Sequence, residues 1–245
     1  MFRLVNDAKG STVRGTDGDI GKVVDFYFDD DKWTIRYLVV DVGNWVPGNH
    51  VLISPMSIAR TDWERQRIEL NISRDRVQKS PSAHLVTPIS RQYESEYYGY
   101  YGWPYYWEGT GVWGAEATPL GLGASMPTSA RDDIERDVRR TAGTRTAAGM
   151  EDSHIRSARE VAGYHIKATD QEVGHIDDYL VDADSWTIDS IVIDTSNWPG
   201  GKAVVLPRQR IARVDWSTKQ IFVNASSQDV RNSPEFTESY IGRRV

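Results

Sequence analysis

The chain has 245 residues, a net charge of −6 and no cysteine, which excludes disulfides and thiolate chemistry. The net negative charge disfavours sequence-independent binding of nucleic acid, because the affinity of such binding comes largely from Lys and Arg side chains that neutralise phosphates. The first residues, Met1–Asp7, lack the apolar core of a signal peptide, and nothing in the sequence approaches the ~20 apolar residues of a membrane span. We therefore expect a soluble, cytoplasmic protein.

One stretch of sequence is present twice. Gly21–Asp29 is repeated as Gly174–Asp182, 153 positions later, and the same offset aligns the residues around it. A repeat of this length predicts that one folding unit has been duplicated. Further pairs that share the offset are Trp33 and Trp186, Asp41 and Asp194, Trp45 and Trp198, Arg60 and Arg213, and Ser80-Pro81 and Ser233-Pro234.

Short strands separated by turns are predicted along the first repeat. Val24, Phe26 and Phe28 alternate with Val23, Asp25, Tyr27 and Asp29, which is the period of a strand with two different faces. Ser73 is the expected N-cap of a final helical turn. Five or six short strands in about 80 residues indicate a small antiparallel barrel, whose closure removes exposed edges. The expected strands cover residues 23–29, 35–40, 51–53, 57–62 and 66–72.

The second repeat has the same pattern, so we predict an all-β chain with two small antiparallel barrels. The first barrel is expected at residues 1–81 and the second at 154–238, followed by a tail at 239–245. Residues 82–153 form a long, aromatic-rich and mostly irregular linker with short helices. One of these helices is expected to begin near Ser90, and an exposed one near residues 130–140.

The linker carries a run of tyrosine, tryptophan and glycine that a passive tether would lack, because disordered linkers are poor in aromatic residues. Three interpretations remain open. The run is an interaction surface, it lies at a membrane–water boundary, or it packs on the barrels of its own chain. The candidate partner-binding residues are Tyr97, Tyr98, Tyr100, Tyr101, Trp103, Tyr105, Tyr106 and Trp107.

The repeated stretches and their flanking residues resemble the PRC-barrel family, which is named for the photosynthetic reaction centre. Gly21–Asp29 with Arg36-Tyr37-Leu38 is similar to the strand pair of the cytoplasmic barrel of the reaction-centre H subunit. Ala162–His165 and Val223–Ala225 resemble the beginning and the end of that barrel. Residues 88–92, together with the aromatic linker, resemble bacterial proteins that carry two such barrels in one chain.

The resemblance implies a non-catalytic scaffold. In the H subunit the barrel lies on the cytoplasmic face of a membrane electron-transfer complex, shields the quinone site and relays protons to it. No cofactor is then bound directly, and quinone and pigments belong only to a partner complex. The chain departs from that subunit where a relay glutamate is expected, because Lys32 and Ser185 occupy those positions.

The acidic turns are the candidate proton-relay sites. A solvated hairpin turn is the simpler interpretation of these residues, and their hard oxygen ligands also suit a cation. The residues are Asp29, Asp31, Asp182 and Asp184. Asp25 and Asp178 interrupt apolar strands, so as buried-strand carboxylates they need hydrogen-bond partners or a shifted pKa. A structural hydrogen bond to a neighbouring loop is the simpler interpretation of these two.

Neither a metal site nor an enzyme is predicted. The five histidines lack metal-ligand spacing, and the sequence contains no nucleophile motif or phosphate-binding loop. Two functions remain open. The first is a scaffold that docks peripherally on protein subunits of a reaction centre. The second is a free-standing soluble stress-related or regulatory protein that binds a ligand or another protein.

Overall fold

The computed structural model describes residues 1–46, 48–81, 89–119, 154–196 and 200–242. Within them the chain is mostly β and forms two sheets of seven strands each. The predicted all-β class is confirmed at this level. The closed barrels are not, because in the described residues no hydrogen-bonded strand pair joins the two ends of either sheet. The helix expected near residues 130–140 lies outside the described residues.

The elements of the second repeat occur in the same order as those of the first. The first repeat contains β1 (Phe2–Leu4), α1 (Val5–Ala8), β2 (Thr12–Gly15), β3 (Gly18–Asp29), β4 (Thr34–Asp41), β5 (His50–Ile53), β6 (Ile58–Asp62), β7 (Arg67–Leu70) and α2 (Arg74–Gln78). The linker contains α3 (Arg91–Tyr101). The second repeat contains β8 (Ile155–Ser157), α4 (Ala158–Val161), β9 (His165–Lys167), β10 (Glu172–Asp182), β11 (Ile188–Asp194), β12 (Ala203–Pro207), β13 (Ile211–Asp215), β14 (Gln220–Val223) and α5 (Ser227–Arg231).

Each sheet has the same strand order, with mixed strand directions. In the first repeat the order is β5-β4-β3-β2-β7-β6, and in the second it is β12-β11-β10-β9-β14-β13. The prediction of a purely antiparallel sheet was wrong at one place in each repeat, since β2 pairs with β7 and β9 with β14 in parallel. Parallel strands need a long connection between them, and period-2 patterning does not reveal which distant strands such a connection brings together.

The first strand of each repeat belongs to the sheet of the other repeat. β1 pairs with β10, in the register Phe2↔Asp182, and β8 pairs with β3. Two compact units result. The second-repeat unit lies within Met1–Ala8, Ser157–Ala183 and Thr187–Val245, and the first-repeat unit lies within Lys9–Arg156 and Asp184–Trp186. The offset that aligns β1 with β8 gave no indication of this exchange.

The glycine that opens each repeated stretch is required by a close backbone approach. A Cβ atom on Gly21 would lie 2.0 Å from the carbonyl oxygen of Asp41, and one on Gly174 would lie 2.0 Å from that of Asp194. No side chain fits at such a distance, so the long strand of each hairpin runs directly against its neighbour here. Equivalent left-handed residues, Trp33 and Trp186, occur in the turns after these strands.

We predict that deleting residues 1–8 destabilises the second-repeat unit, although these residues begin the first repeat. The deletion removes the strand beside β10 and the side chains of Phe2 and Leu4, which pack against Leu180, Val192 and Val205. The expected loss is about 2–4 kcal/mol of unfolding free energy. Hydrogen exchange measured by mass spectrometry should show faster exchange in β10 and β11. Faster exchange confined to β3 and β4 would contradict the assigned strand pairing.

Candidate functional site

A buried arginine lies at the centre of the first-repeat unit. Arg36 is on β4, whose residues from Thr34 to Val40 are all buried, and its side chain has no solvent exposure. Its Nη2 and Nε atoms donate to Oδ2 of Asp29 at 2.6 and 2.9 Å. A charge taken out of water needs such a partner, because an unpaired buried ion costs several kcal/mol, on the order of 3–5.

Aromatic rings from the linker enclose this guanidinium. The Cζ atom of Arg36 lies 3.7 Å from the centroid of the Tyr106 ring and 4.6 Å from that of Trp113. Cation–π attraction strengthens when water is excluded, and Trp and Tyr are the preferred faces. Arg36 therefore attracts the linker to the sheet as well as pairing with Asp29.

Both carboxylate oxygens of Asp29 accept hydrogen bonds in the hairpin turn that this residue begins. Its Oδ1 atom accepts hydrogen bonds from the backbone amides of Asp31 and Lys32, at 3.0 and 2.7 Å, while Oδ2 accepts from Arg36. The hairpin turn is thus stabilised by the same carboxylate that neutralises the buried cation. This candidate relay residue is placed in an interior ion pair.

The other candidate relay residues lie in different surroundings. Asp31 and Asp184 are exposed, and Asp182 of the second-repeat unit accepts from the amino group of Met1 at 3.1 Å. Asp189 occupies the repeat position of Arg36, so the second repeat cannot form the same pair. The structure therefore does not bring these four carboxylates into one common arrangement within either unit.

Asp30, between two of the candidate residues, forms an ion pair with Arg156 and lies beside His154. Nδ1 of His154 lies 3.3 Å from Asp30 Oδ1 and 3.6 Å from Asp31 Oδ2, and Nε of Arg156 lies 2.9 Å from Asp30 Oδ2. Burial raises the pKa of Asp30, while Arg156 opposes that rise. The side chains of Asp30, Asp31 and His154 are close enough to share a cation. Arg156 already compensates Asp30, however, so the cluster is explained without one.

A second buried carboxyl group, Glu94, connects the linker to the sheet. It lies on α3, whose first turn is capped by Ser90 as predicted, and only 2% of Glu94 is exposed. Oε1 accepts from the hydroxyl groups of Tyr106 at 2.8 Å and Tyr37 at 3.1 Å, and Oε2 accepts from Arg91 Nη1 at 2.9 Å. Three donors from β4, α3 and the segment after α3 thus meet at one side chain.

Burial raises the pKa of Glu94 to about 7, although Arg91 and the hydroxyl groups of Tyr106 and Tyr37 lower it. Burial also raises the pKa of both tyrosines well above the ordinary range, so they remain protonated donors near neutral pH. Glu94 is therefore the group in this cluster whose charge changes near neutrality. Perturbed groups of this kind often mark functional sites, although structural networks perturb them too.

The tyrosines of α3 cover the sheet of their own unit. The Tyr97 hydroxyl donates to the carbonyl of Leu52 at 3.0 Å and accepts from the amide of Ser54 at 3.1 Å. These bonds satisfy backbone groups at the end strand β5, which would otherwise lack partners in an apolar interior. Tyr97 also packs edge-on against Tyr37, with ring centroids 5.3 Å apart. We call residues 89–113, which contain this helix and the rings that enclose Arg36, the aromatic segment.

Most candidate partner-binding residues are in the interior of the first-repeat unit. Tyr100 is 36% exposed and Trp107 is partly exposed. The remaining six are buried, namely Tyr97, Tyr98, Tyr101, Trp103, Tyr105 and Tyr106. Their packing corresponds to the interpretation in which the linker covers its own chain. The helix that was expected to begin near Ser90 has eleven residues and ends at Gly102 in a left-handed conformation.

Asp25 and Asp178 occupy equivalent buried positions at strand irregularities, with 2% and 4% exposure. Each accepts a hydrogen bond at 2.8 Å from the amide of the next residue, Phe26 or Tyr179. Asp178 also accepts from the amide of Asn6 in α1, at 3.2 Å. The carboxylates therefore supply the acceptors that the shifted ladder does not provide.

Two residues that hold the site together were missed in the sequence. Arg36 stands within an otherwise apolar strand, and Glu94 precedes Tyr97, Tyr98 and Tyr101 at helical spacing. A charged residue within an apolar face is a signal of a buried polar pair. The sequence does not identify the partners of Glu94, because Tyr106 follows Glu94 by twelve positions and Tyr37 precedes it by 57.

The comparison with protein families agrees with the fold of the first repeat. Residues 2–77 match the model of the PRC-barrel domain. A PRC-barrel domain is present in this chain. The match ends within α2, just before the linker. A comparison with curated proteins found no match. None of the helices in the described part of the chain is both long enough and apolar enough to cross a membrane.

We predict that Arg36→Met destabilises the first-repeat unit by about 3–5 kcal/mol, because Asp29 is left as an uncompensated buried charge. The double variant Asp29→Asn/Arg36→Met should recover part of this loss. Urea unfolding monitored by tryptophan fluorescence measures both. The matched control is Lys79→Met, which breaks the exposed pair with Asp75 and should change stability little. Equal effects of Arg36→Met and the control would show that the buried pair is not stabilising.

A second substitution tests the carboxylate at the strand irregularity. Asp178→Ala should cost about 1–3 kcal/mol, since the buried amides of Tyr179 and Asn6 lose their acceptor. Asp178→Asn keeps an acceptor oxygen and should cost less. The exposed neighbour Asp177 provides the control substitution, Asp177→Ala. Thermal unfolding measures the series, and equal effects at positions 177 and 178 would contradict the assigned role.

Proposed function

We propose that this PRC-barrel protein is a non-catalytic scaffold that binds a protein partner. The observation that supports this most directly is the use made of its buried polar groups. Asp29 pairs with Arg36, and Glu94 accepts from Arg91, Tyr37 and Tyr106. These bonds hold the aromatic segment on the sheet. A catalytic site instead directs such groups at the position where a substrate reacts.

The partner is expected to contact the exposed side of the aromatic segment. Tyr100 and the partly exposed Trp107 present rings to solvent, and such rings are preferred anchors at protein interfaces because they lose little conformational entropy. The buried rings serve a different purpose, since they shape and stiffen the surface that carries these two. Of the eight candidate partner-binding residues, Tyr100 and Trp107 are therefore the two expected to contact a partner.

Two settings fit this scaffold. The resemblance to the H subunit supports peripheral docking on the cytoplasmic face of a reaction centre, where the bound protein shields the quinone side and aids proton uptake. The interior packing of six linker rings favours the alternative, a free-standing soluble protein with a stress-related or regulatory role. Such packing lets the unit fold without a partner, and the ion pair of Asp29 removes one candidate relay group from solvent.

Affinity purification from the native host tests the proposal. Full-length protein should capture a defined partner, and Tyr100→Ala should reduce capture about tenfold or more, because an aromatic anchor contributes about 2 kcal/mol or more at a hot spot. Gln92→Ala, at another exposed position of α3, is the control. Quantitative mass spectrometry of the captured proteins provides the measurement. Equal capture by both variants would exclude this surface.

The same preparation distinguishes the two settings. Co-purification with a pigmented membrane core, released by detergent, supports docking on a reaction centre. Recovery of the protein and its partner in the soluble fraction supports the free-standing alternative. A host without reaction centres would exclude the first setting and leave the scaffold proposal intact.

A further inference from the structure

We propose that the end of the second-repeat sheet formed by β9, β14 and β13 binds an acidic, extended segment of a partner protein. This surface belongs to the second-repeat unit and involves neither Tyr100 nor Trp107, so it goes beyond the partner contact proposed above.

Three side chains form a row across the outer face of this sheet. Lys167 on β9 pairs with Phe222 on β14, which pairs in turn with Arg213 on β13. Residues directly opposite one another on neighbouring strands project from the same face. The alternate positions, Ile166 and Ile221, are buried, so the row itself faces solvent. Because strands lie about 4.8 Å apart, the backbones of the two cations that flank the ring are about 10 Å apart.

Arg213 is held over the aromatic ring of this row. Its Cζ atom lies 3.5 Å from the centroid of the Phe222 ring. This cation–π contact orients the guanidinium, while 58% of the Arg213 side chain and 39% of that of Lys167 stay exposed. An oriented guanidinium loses less conformational freedom when a carboxylate binds, and its donors match a carboxylate in bidentate geometry.

The acidic residues of the same unit neutralise these cations incompletely. Asp215 Oδ2 lies 3.9 Å from Nη1 of Arg213, and Glu172 Oε2 lies 3.9 Å from Nζ of Lys167. Both distances are at the limit of an ion pair, and Glu172 lies closer to Nδ1 of His165, at 3.0 Å. Exposed pairs of this kind contribute little to stability. A carboxylate from a partner can therefore approach either cation without displacing a strong internal bond.

The hairpin that carries Arg213 is basic in an acidic chain. Residues 207–223 contain four cations and one anion, a net charge of +3, whereas the whole chain carries −6. The equivalent residues of the first repeat, 55–70, contain three cations and three anions. The cations of the second-repeat hairpin are Arg208, Arg210, Arg213 and Lys219, and the anion is Asp215. Charge complementarity therefore favours an acidic partner at the second repeat and not at the first.

The first repeat carries its own anion in the middle of the same row. There Glu69 on β7 lies between Arg14 on β2 and Arg60 on β6. Glu69 occupies the repeat position of Phe222. A carboxylate between two guanidinium groups attracts both, so less positive charge is available to a partner. The ring of Phe222 leaves the cations of the second repeat available.

An open strand edge favours a protein segment as the occupant. β13 is the end strand of its sheet, and no other strand of the described residues pairs with its outer edge. An extended peptide can add to such an edge through backbone hydrogen bonds, with its side chains alternating between the two faces. Acidic side chains on the outer face can then stand beside Arg213. A lipid surface or a nucleic acid supplies anions but no backbone that pairs with the edge.

Binding of a synthetic acidic peptide to the full chain tests the proposal. The probe is a fluorescently labelled peptide of alternating Glu and Thr, about twelve residues long, which is acidic on one face when extended. Fluorescence anisotropy at low ionic strength measures its dissociation constant. Arg213→Glu should weaken binding about tenfold or more, because attraction becomes repulsion. Arg60→Glu, the equivalent change in the first repeat, alters the net charge equally and should have little effect.

The absence of binding to the wild type, or equal weakening by the two variants, would overturn the proposal. Phe222→Glu recreates the row of the first repeat and should weaken binding about as much as Arg213→Glu. Circular dichroism checks the folding of each variant, and Arg213→Glu, at an exposed position, remains decisive if Phe222→Glu does not fold. Tyr100→Ala should bind the peptide as the wild type does, and a loss of binding there would contradict the assignment to this surface.

Two further measurements identify the occupant. A peptide N-methylated throughout its backbone keeps its charge but cannot donate to the strand edge, so it should bind about tenfold more weakly. Vesicles that contain phosphatidylglycerol, and oligothymidylate, should displace the labelled peptide less effectively than the unlabelled peptide does at the same concentration of negative charge. Equal binding of the methylated peptide, or stronger displacement by either competitor, would overturn the assignment of a protein segment.

Discussion

The buried pair of Arg36 and Asp29 is the interaction on which the first-repeat unit depends. A guanidinium without solvent exposure requires a carboxylate, and Asp29 provides one from the adjacent strand. It also requires cover that excludes water, and Tyr106 and Trp113 provide this from the linker. One charge in the interior of a strand therefore explains both the geometry of the acidic turn and the folding of an aromatic segment back onto its own sheet.

The second repeat lacks that charge and is covered differently. Asp189 and Ser190 replace Arg36 and Tyr37, and they bond to each other. The apolar side chains of Leu180, Val192 and Val205 are covered by Phe2, Leu4, Phe236 and Tyr240 instead of by an aromatic helix. The backbone of residues 234–236 also bonds to β12, so a short strand-like segment protects that edge. The two repeats are thus similar in sequence, but different segments of the chain cover their sheets.

Local pattern was sufficient to predict the strands from β3 to β7 and the serine caps, but not β1 and β2. The alternation around Val24 and the serine caps depend on neighbouring residues, and each corresponds to an element in the structure. Glu94 and the exchange of β1 and β8 depend on contacts between residues far apart in sequence. No periodicity encodes such contacts, and two equivalent strands with the same pattern fit either sheet equally well. The parallel pairs were missed for the same reason.

The exchanged strands also bear on how the protein is synthesised. Because Phe2 pairs with Asp182, β1 is synthesised first but can pair only after nearly three-quarters of the chain has been made. In the same way, β3 can pair with β8 only after the linker has been synthesised. Such long sequence separation slows folding and leaves strand edges exposed in the interval. The sheet of the first repeat therefore cannot be completed until β8, the first strand of the second repeat, has been made. Chaperone demand during translation is an expected cost of this topology.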